Sequence, residues 1–339
     1  MFDPQRQLFV YTLRRTQDGL IPQGVSPRYT LMTLLGLHRY QQSGGKSPFA
    51  IAAVLEDLLQ DLTWVNGIGD LGLLLWTVAL TAPHDFADLE KRLDARRAPR
   101  RYRDARRLCT MELAWYLTGL SYGLQVEARA SGLAEQAEAT FVRLIANQGG
   151  HGVFGHQATE MSLGGWLRGK IGSFADQVYP IYALTQFSKV SRQNNAVARA
   201  LQCARSICRQ QGGNGEWWWH YDASTGKVAE TYPVYSVHQD GMAPMALQAL
   251  AEASGEDFTG PLGKGLEWIG GQNDLQYDMR SQSDGVIWRC FDLSKRDRLL
   301  RQFFVSDPAA ARTPVEKLHV NFECRPYELG WALYALSGK

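Results

Sequence analysis

The sequence predicts an all-α protein, an (α/α)6 toroid of six helical hairpins with an inner ring of six parallel helices. Three observations carry that expectation. One short pattern, a polar or charged residue followed by mostly apolar residues ending in small-Leu, recurs six times. The helices it marks are apolar nearly all round, as buried helices are. Between them run amphipathic helices with charges on one face. Six hairpins, each with one buried and one half-exposed helix, have a natural closed solution in an inner ring inside an outer one.

Taken in order, the copies begin at Arg28 and end at Leu37, run from Asp70 to Leu80, and from Glu112 to Leu120. They return from Asp176 to Leu184, from His238 and Asp240 to Leu247, and from Glu323 and Arg325 to Leu333. The polar residue lies 7 to 10 positions before each terminal leucine. That places it near the N-terminal end of its helix, where backbone N–H groups lack partners. The stretches from Ala50 to Leu62, Leu133 to Ala146 and Ala196 to Arg209 read as outer helices. If the inner helices run parallel, Arg28, Asp70, Glu112, Asp176, His238, Asp240, Glu323 and Arg325 face one another at one mouth.

A length of 339 residues is long for one compact domain, but toroids are a standing exception, so a single domain over 1–339 is expected. With 45% hydrophobic and 21% charged residues there is material for a large core, and disorder is not expected. A net charge of +2 gives no electrostatic case for nucleic acid or a membrane surface. The longest apolar stretch, Leu71 to Ala82, is 12 residues, too short to span a bilayer, and the start of the chain does not look like a secretory signal. A cytoplasmic protein is expected. The five cysteines form no CxxC pair, which suits buried free thiols in a reducing compartment.

Glycine turns supply a second repeat. Gln148-Gly-Gly-His-Gly-Val-Phe154 and Gln211-Gly-Gly-Asn-Gly-Glu-Trp217 match as Gln-x-x-x-Gly-x-aromatic, with their glutamines 63 positions apart. Weaker relatives stand at Gln17-Asp-Gly-Leu and at Asp284 to Trp288. The pattern resembles the QW-type repeat of the squalene-cyclase and protein-prenyltransferase toroids, in which the Gln caps a helix and the aromatic packs beside the next turn. That resemblance implies the fold rather than the activity, and the aspartate-rich acid motif of the cyclases is absent. A second resemblance is to the six-hairpin carbohydrate enzymes, the glycoside hydrolases, uronyl hydrolases and sugar epimerases. The segment from Tyr235 to Leu250 is similar to the uronic-acid epimerase helix that starts with Ser and Met residues, carries a Gln-Gly pair and ends in Leu and Ala.

The densest chemistry lies in 211–247. Asp240 is the first candidate for general acid or base, with His238 two positions away, although an Asp there also serves simply as a helix cap. Asp176 and Glu112 come next, and two carboxylates whose surroundings push their pKa values apart can divide acid and base work. Asp70 and Glu323 join the substrate-binding candidates, with Arg28 and Arg325, whose planar forks suit a carboxylate or phosphate. Trp217, Trp218, Trp219, Tyr221 and Tyr235 are candidate platforms for a sugar face or a carbocation, with the core as the competing destination for about half of them. His151, His156 and Glu160 have metal-ligand chemistry, but His-x4-His across a glycine turn is not a usual spacing, so neither a metal nor a cofactor is expected. The run Arg96, Arg97, Arg100, Arg101, Arg103, Arg106 and Arg107 reads as a solvated loop and helix start, with a polyanion site as the sharper alternative.

Polarity orders the functions. A carbohydrate-active enzyme acting on an anionic small-molecule or oligosaccharide substrate by hydrolysis, elimination or epimerisation needs several carboxylates beside aromatic platforms, and stands first. A terpene cyclase or prenyltransferase needs an apolar cavity with a lone strong acid or a diphosphate site, and stands second. A non-catalytic scaffold stands third.

Overall fold

The structure is a computed structural model that describes residues 1–95, 109–127, 131–157, 169–192, 195–298 and 313–337. The basic run from Arg96 to Arg107, and Glu160, lie outside these residues. The inner helices are α1 (Pro27–Gln42), α3 (Ile68–Thr81), α5 (Thr110–Val126), α7 (Ala175–Ser188), α9 (Ala243–Ser254) and α11 (Pro326–Leu336). The outer helices among the described residues are α2 (Ile51–Gln60), α4 (Phe86–Ala95), α6 (Ser131–Ala146), α8 (Ala196–Arg209) and α10 (Thr259–Ile269).

Burial sorts the two rings as the apolar patterns require. In α3 every residue from Ile68 to Ala79 is buried, and in α7 every residue from Asp176 to Phe187. In α8 only Ala196, Ala200, Cys203, Ala204, Ser206 and Ile207 are, at the spacing of one helix face. The inner ring closes: α1 packs on α3, α3 on α5, α5 on α7, α7 on α9, α9 on α11, and α11 back on α1. Two joints depend on paired glycines. A Cβ on Gly36 would lie 2.1 Å from the Gly330 carbonyl oxygen, and one on Gly119 would lie 2.3 Å from that of Gly72, so only glycine lets these backbones touch.

The ring runs parallel. At one end, Arg28 Nε donates to Asp70 Oδ1 at 2.8 Å, the Met111 amide donates to Asp176 Oδ1 at 3.0 Å, and Arg325 Nη1 donates to the Tyr29 hydroxyl at 2.8 Å, joining helix starts to helix starts. At the other end the Tyr182 hydroxyl meets those of Tyr122 at 2.7 Å and Tyr334 at 2.6 Å, joining the later turns of α5, α7 and α11. Between the ends the ring is filled with aromatics: Trp76 stacks on Tyr182 and Trp331 with ring centroids 5.2 and 5.4 Å away.

The two strong glycine turns do the same work. Gln148 Nε2 donates to the Gly152 carbonyl at 2.8 Å and to that of Arg199, in the first turn of α8, at 3.0 Å. Gln211 Nε2 donates to the Gly215 carbonyl and to that of Pro261, in the first turn of α10, both at 2.9 Å. Gly152 and Gly215 share a left-handed φ of +95° and +96° and press against the backbones of Gln202 and Lys264 on the same two outer helices. Phe154 and Trp217 are buried beneath. The two weaker relatives are something else: their glycines turn the hairpins β2–β3 (Leu8–Thr16 and Gly19–Val25) and β8–β9 (Arg280–Ser281 and Val286–Ile287).

Short antiparallel strands were not expected from the sequence, and they build the rim of the mouth. β1 (Phe2–Asp3) and β12 (Glu323–Cys324) pair with β2, β4 (Ile171–Ser173) with β5 (His220–Asp222), β5 with β6 (Lys227–Glu230), and β10 (Cys290–Leu293) with both β7 (Val234–Tyr235) and β11 (Leu318–Asn321). Each is too short for period-two alternation to stand out against helical patterning.

Candidate active site

The N-terminal ends of the six inner helices form one circuit of polar side chains. Arg28, 35% exposed at its side chain, holds Asp70 at 2.8 Å and reaches Glu112 at 4.0 Å, with its guanidinium 5.4 Å from the centre of the Trp115 ring. Asp70 also accepts from the Asn66 amide at 3.1 Å, so it is committed to the start of α3. Glu112 keeps 26% of its side chain exposed and, among the described residues, has only the long contact to Arg28 as an ion pair.

Two His–carboxylate pairs follow. Asp176 is buried and accepts four hydrogen bonds, from the Met111 amide at 3.0 Å, the Ser173 amide and hydroxyl at 2.9 Å each, and His156 Nδ1 at 3.0 Å. Its carboxylate is saturated, but His156 beyond it is 48% exposed at the side chain. The Asp176 hydrogen bond raises the His156 pKa above its ordinary value against the opposing effect of burial. Strand β4 pairs Ser173 with His220, whose Nδ1 lies 2.8 Å from Glu230 Oε2. Cys109, at the α5 N-terminus beside Glu112, has its thiol pushed up to about 12 by burial and then by that carboxylate, so it stays protonated.

The aromatic wall comes next. Trp219 lies 4.6 Å from the His220 ring and 4.9 Å from that of Tyr235, and both Trp219 and Tyr235 are half-buried. His238 is enclosed by Phe174 at 4.5 Å and Tyr235 at 5.1 Å, and burial drives its pKa down to about 3. It is therefore a neutral ring at physiological pH, with Nδ1 lacking a partner. His238 opens a π turn over His238–Met242, in which the Ala243 amide donates to the His238 carbonyl. Pro244 explains the wide turn, since it has no N–H to give the carbonyl four residues back.

Arg289 and Arg325 close the circuit. Both guanidiniums lie 3.8 Å from Glu323 Oε2, while Glu323 Oε1 accepts from Arg14 at 2.6 Å. Arg289 also stands over Tyr235, 5.0 Å from the ring centre, and Arg325 over Tyr11 at 4.6 Å. Behind them Glu328 is buried, accepting from the Arg325 amide at 3.0 Å. Burial raises its pKa to about 8, with Arg289 opposing. Asp240 is buried as well, and burial first and Glu328 second push its pKa well up. Asp240 Oδ1, Glu328 Oε1, Arg289 Nη1 and Arg325 Nε have no hydrogen-bond partner.

The structure therefore brings Arg28, Asp70, Glu112, Asp176, His238, Glu323 and Arg325 to one mouth, with Trp219 and Tyr235 in its wall. It corrects the reading of four others. Trp217, Trp218 and Tyr221 are 0%, 7% and 0% exposed, so they are core: Trp217 stacks on Phe174 at 5.6 Å and Trp218 donates to the Gln210 carbonyl at 2.8 Å. Asp240 is as buried as Asp176 and His238, but burial and then Glu328 raise its carboxyl pKa, which disfavours the ionised base. Sequence reasoning missed Arg289, His220 and Glu328 as site residues. The first two are delivered by strand pairing between distant segments, which leaves no local signal. Glu328 did leave one, standing three residues after the Arg325 cap as capping-box glutamates do. Among the described residues no three His, Cys, Asp or Glu side chains gather as metal ligands would, and no helix is long and apolar enough to cross a membrane.

No family model matches the sequence, and no curated protein does. Solved structures do match over nearly its whole length. An unsaturated glucuronyl hydrolase specific for heparin is 14% identical, with a TM-score of 0.62, covering 98% of this chain and 90% of that one. A possible member of the GH105 family from Salmonella enterica serovar Paratyphi A gives 14%, 0.62, 99% and 88% on the same measures. The unsaturated glucuronyl hydrolase of Bacillus sp. GL1, responsible for degradation of glycosaminoglycan, gives 13%, 0.61, 98% and 90%. At this identity the likeness shows the fold alone: the chain is an (α/α)6 toroid.

Proposed function

We propose that the chain is a hydrolase acting on an anionic, uronic-acid-terminated oligosaccharide at the N-terminal mouth. The observation that carries this reading is the pairing of two accessible proton-transfer groups, Glu112 and His156, with the arginines Arg289 and Arg325 across the same mouth. The Arg289 and Arg325 side chains are 12% and 15% exposed, and a planar fork is suited to a sugar carboxylate. Trp219 and Tyr235 offer the apolar faces on which a sugar ring stacks.

Within this reading Glu112 and His156 divide the acid and base work. Asp176, its oxygens saturated, positions His156 and keeps its proton available. His238 shapes the wall, and Asp240 acts only through Glu328. The names of the structural neighbours favour hydrolysis over elimination or epimerisation, and a glucuronyl end group over a neutral one. Several carboxylates at the mouth and stacked rings beneath it count against an isoprenoid cavity.

The test is release of reducing sugar from unsaturated glucuronyl disaccharides, saturated glucuronides and neutral glucosides. The expected outcome is turnover of a uronyl-terminated substrate alone, reduced about 10²- to 10⁴-fold in Glu112→Gln, the usual contribution of a general acid or base. Wild-type turnover by both Glu112→Gln and His156→Gln would remove the mechanism. Inertness toward every uronyl compound would remove the substrate class.

A further inference from the structure

A second pit lies at the opposite end of the inner ring, and we propose that it binds a small free oxyanion of the size of phosphate or sulfate. Its base is formed by hydroxyls from three inner helices: Tyr122 to Tyr182 is 2.7 Å, Tyr182 to Tyr334 is 2.6 Å, and Tyr122 to Tyr334 is 3.3 Å. The third side is the longest and weakest of the three, so the proton on it can turn outward to a stronger acceptor. Burial raises the Tyr122 and Tyr182 pKa values well above the ordinary one, so these hydroxyls remain donors.

Gln186 lines the same cavity, is 3% exposed, and makes no side-chain hydrogen bond to a described residue. A buried amide without a partner in the protein needs one in the cavity, and an oxyanion accepts from its N–H group. Arg39 and Lys189 stand at the rim with Glu252, and neither cation has a carboxylate partner among the described residues. Arg39 lies over the Tyr334 ring, 4.9 Å from its centre.

Volume and charge select the ligand. The cavity measures about 80 Å³. At roughly 10–15 Å³ per water on this scale, it takes on the order of six waters, or one tetrahedral ion and a few waters. The later turns of α1, α5, α7, α9 and α11 surround it, and carbonyl ends of helices disfavour anions. The sign of the site therefore rests on Arg39 and Lys189, one formal charge in excess of Glu252.

The test is a titration of the whole protein with inorganic phosphate at constant ionic strength, read by calorimetry, for the wild type and for Arg39→Met, Lys189→Met and Arg325→Met. Because the first two side chains are exposed, their replacement leaves folding intact. Expected are saturable binding by the wild type, about tenfold weaker binding in each rim variant, as loss of a charge-assisted hydrogen bond predicts, and unchanged binding in Arg325→Met, which lies at the other end. Glucose 6-phosphate should bind at least about tenfold more weakly, because the pit encloses the ion. The proposal fails if phosphate binding does not saturate, if Arg325→Met alone abolishes it, or if the sugar phosphate binds as tightly as the free ion.

Discussion

The Asp176 carboxylate meets His156 Nδ1 at 3.0 Å while its other contacts tie down the start of α5 and the end of β4. One side chain thus joins two inner helices and orients the most exposed titratable ring of the mouth. His156 is raised above its ordinary 6.5 by this contact, so its folded-state pKa exceeds the unfolded one. The charged pair contributes stability that is fully present below 6.5 and is lost as pH rises through the raised folded value. Asp176→Asn should lower the His156 pKa, which a proton NMR titration of the ring reads directly. It should also flatten the alkaline limb of a stability-versus-pH curve between those two values. An unmoved His156 titration would show that Asp176 only caps.

Glu328 has the opposite consequence for its class of residue. A carboxyl whose folded pKa is raised binds its proton more tightly when folded, so stability falls as pH climbs from the ordinary 4.5 to about 8 and then levels. Glu328→Gln keeps an acceptor for the Arg325 amide and removes the titration. Thermal midpoints at pH 5 and pH 8 should differ less in the variant than in the wild type. Equal differences would locate the pH dependence elsewhere.

Trp217 and Trp219, two positions apart, should behave as different kinds of residue. Trp217→Ala empties a fully buried site and should cost about 3–5 kcal/mol by denaturant unfolding. Trp219→Ala should change stability far less and weaken binding of a uronyl substrate by about 0.5–1.5 kcal/mol, a share typical of an aromatic contact. The reverse pattern would exclude Trp219 as the platform.

The paired glutamines give a matched comparison. Gln148→Leu and Gln211→Leu each strip two carbonyls of a donor at a turn that seats an outer helix, and each should destabilise by about 1–3 kcal/mol. Gln17→Leu, at an exposed hairpin turn, should fall within about 0.5 kcal/mol of the wild type. Chemical denaturation of the three side by side tests whether the two strong turns are equivalent.

The sequence by itself determined the ring. The buried helices are apolar on every side, the outer ones on one, and the polar starts recur at fixed distances before a terminal leucine, so helix type and polarity were set by local spacing. The two Gln-x-x-x-Gly-x-aromatic turns were likewise readable, because a left-handed glycine and its anchoring amide lie within seven residues. Tertiary structure alone decided which of three consecutive tryptophans meets solvent, since each can face the core until β5 fixes the direction of the chain at His220. It alone brought Arg289 and His220 to the mouth, through strand pairs between segments far apart in the chain. It also decided that Asp240 is a suppressed acid, because burial beside Glu328 penalises its charge in a way that no neighbour in sequence reveals.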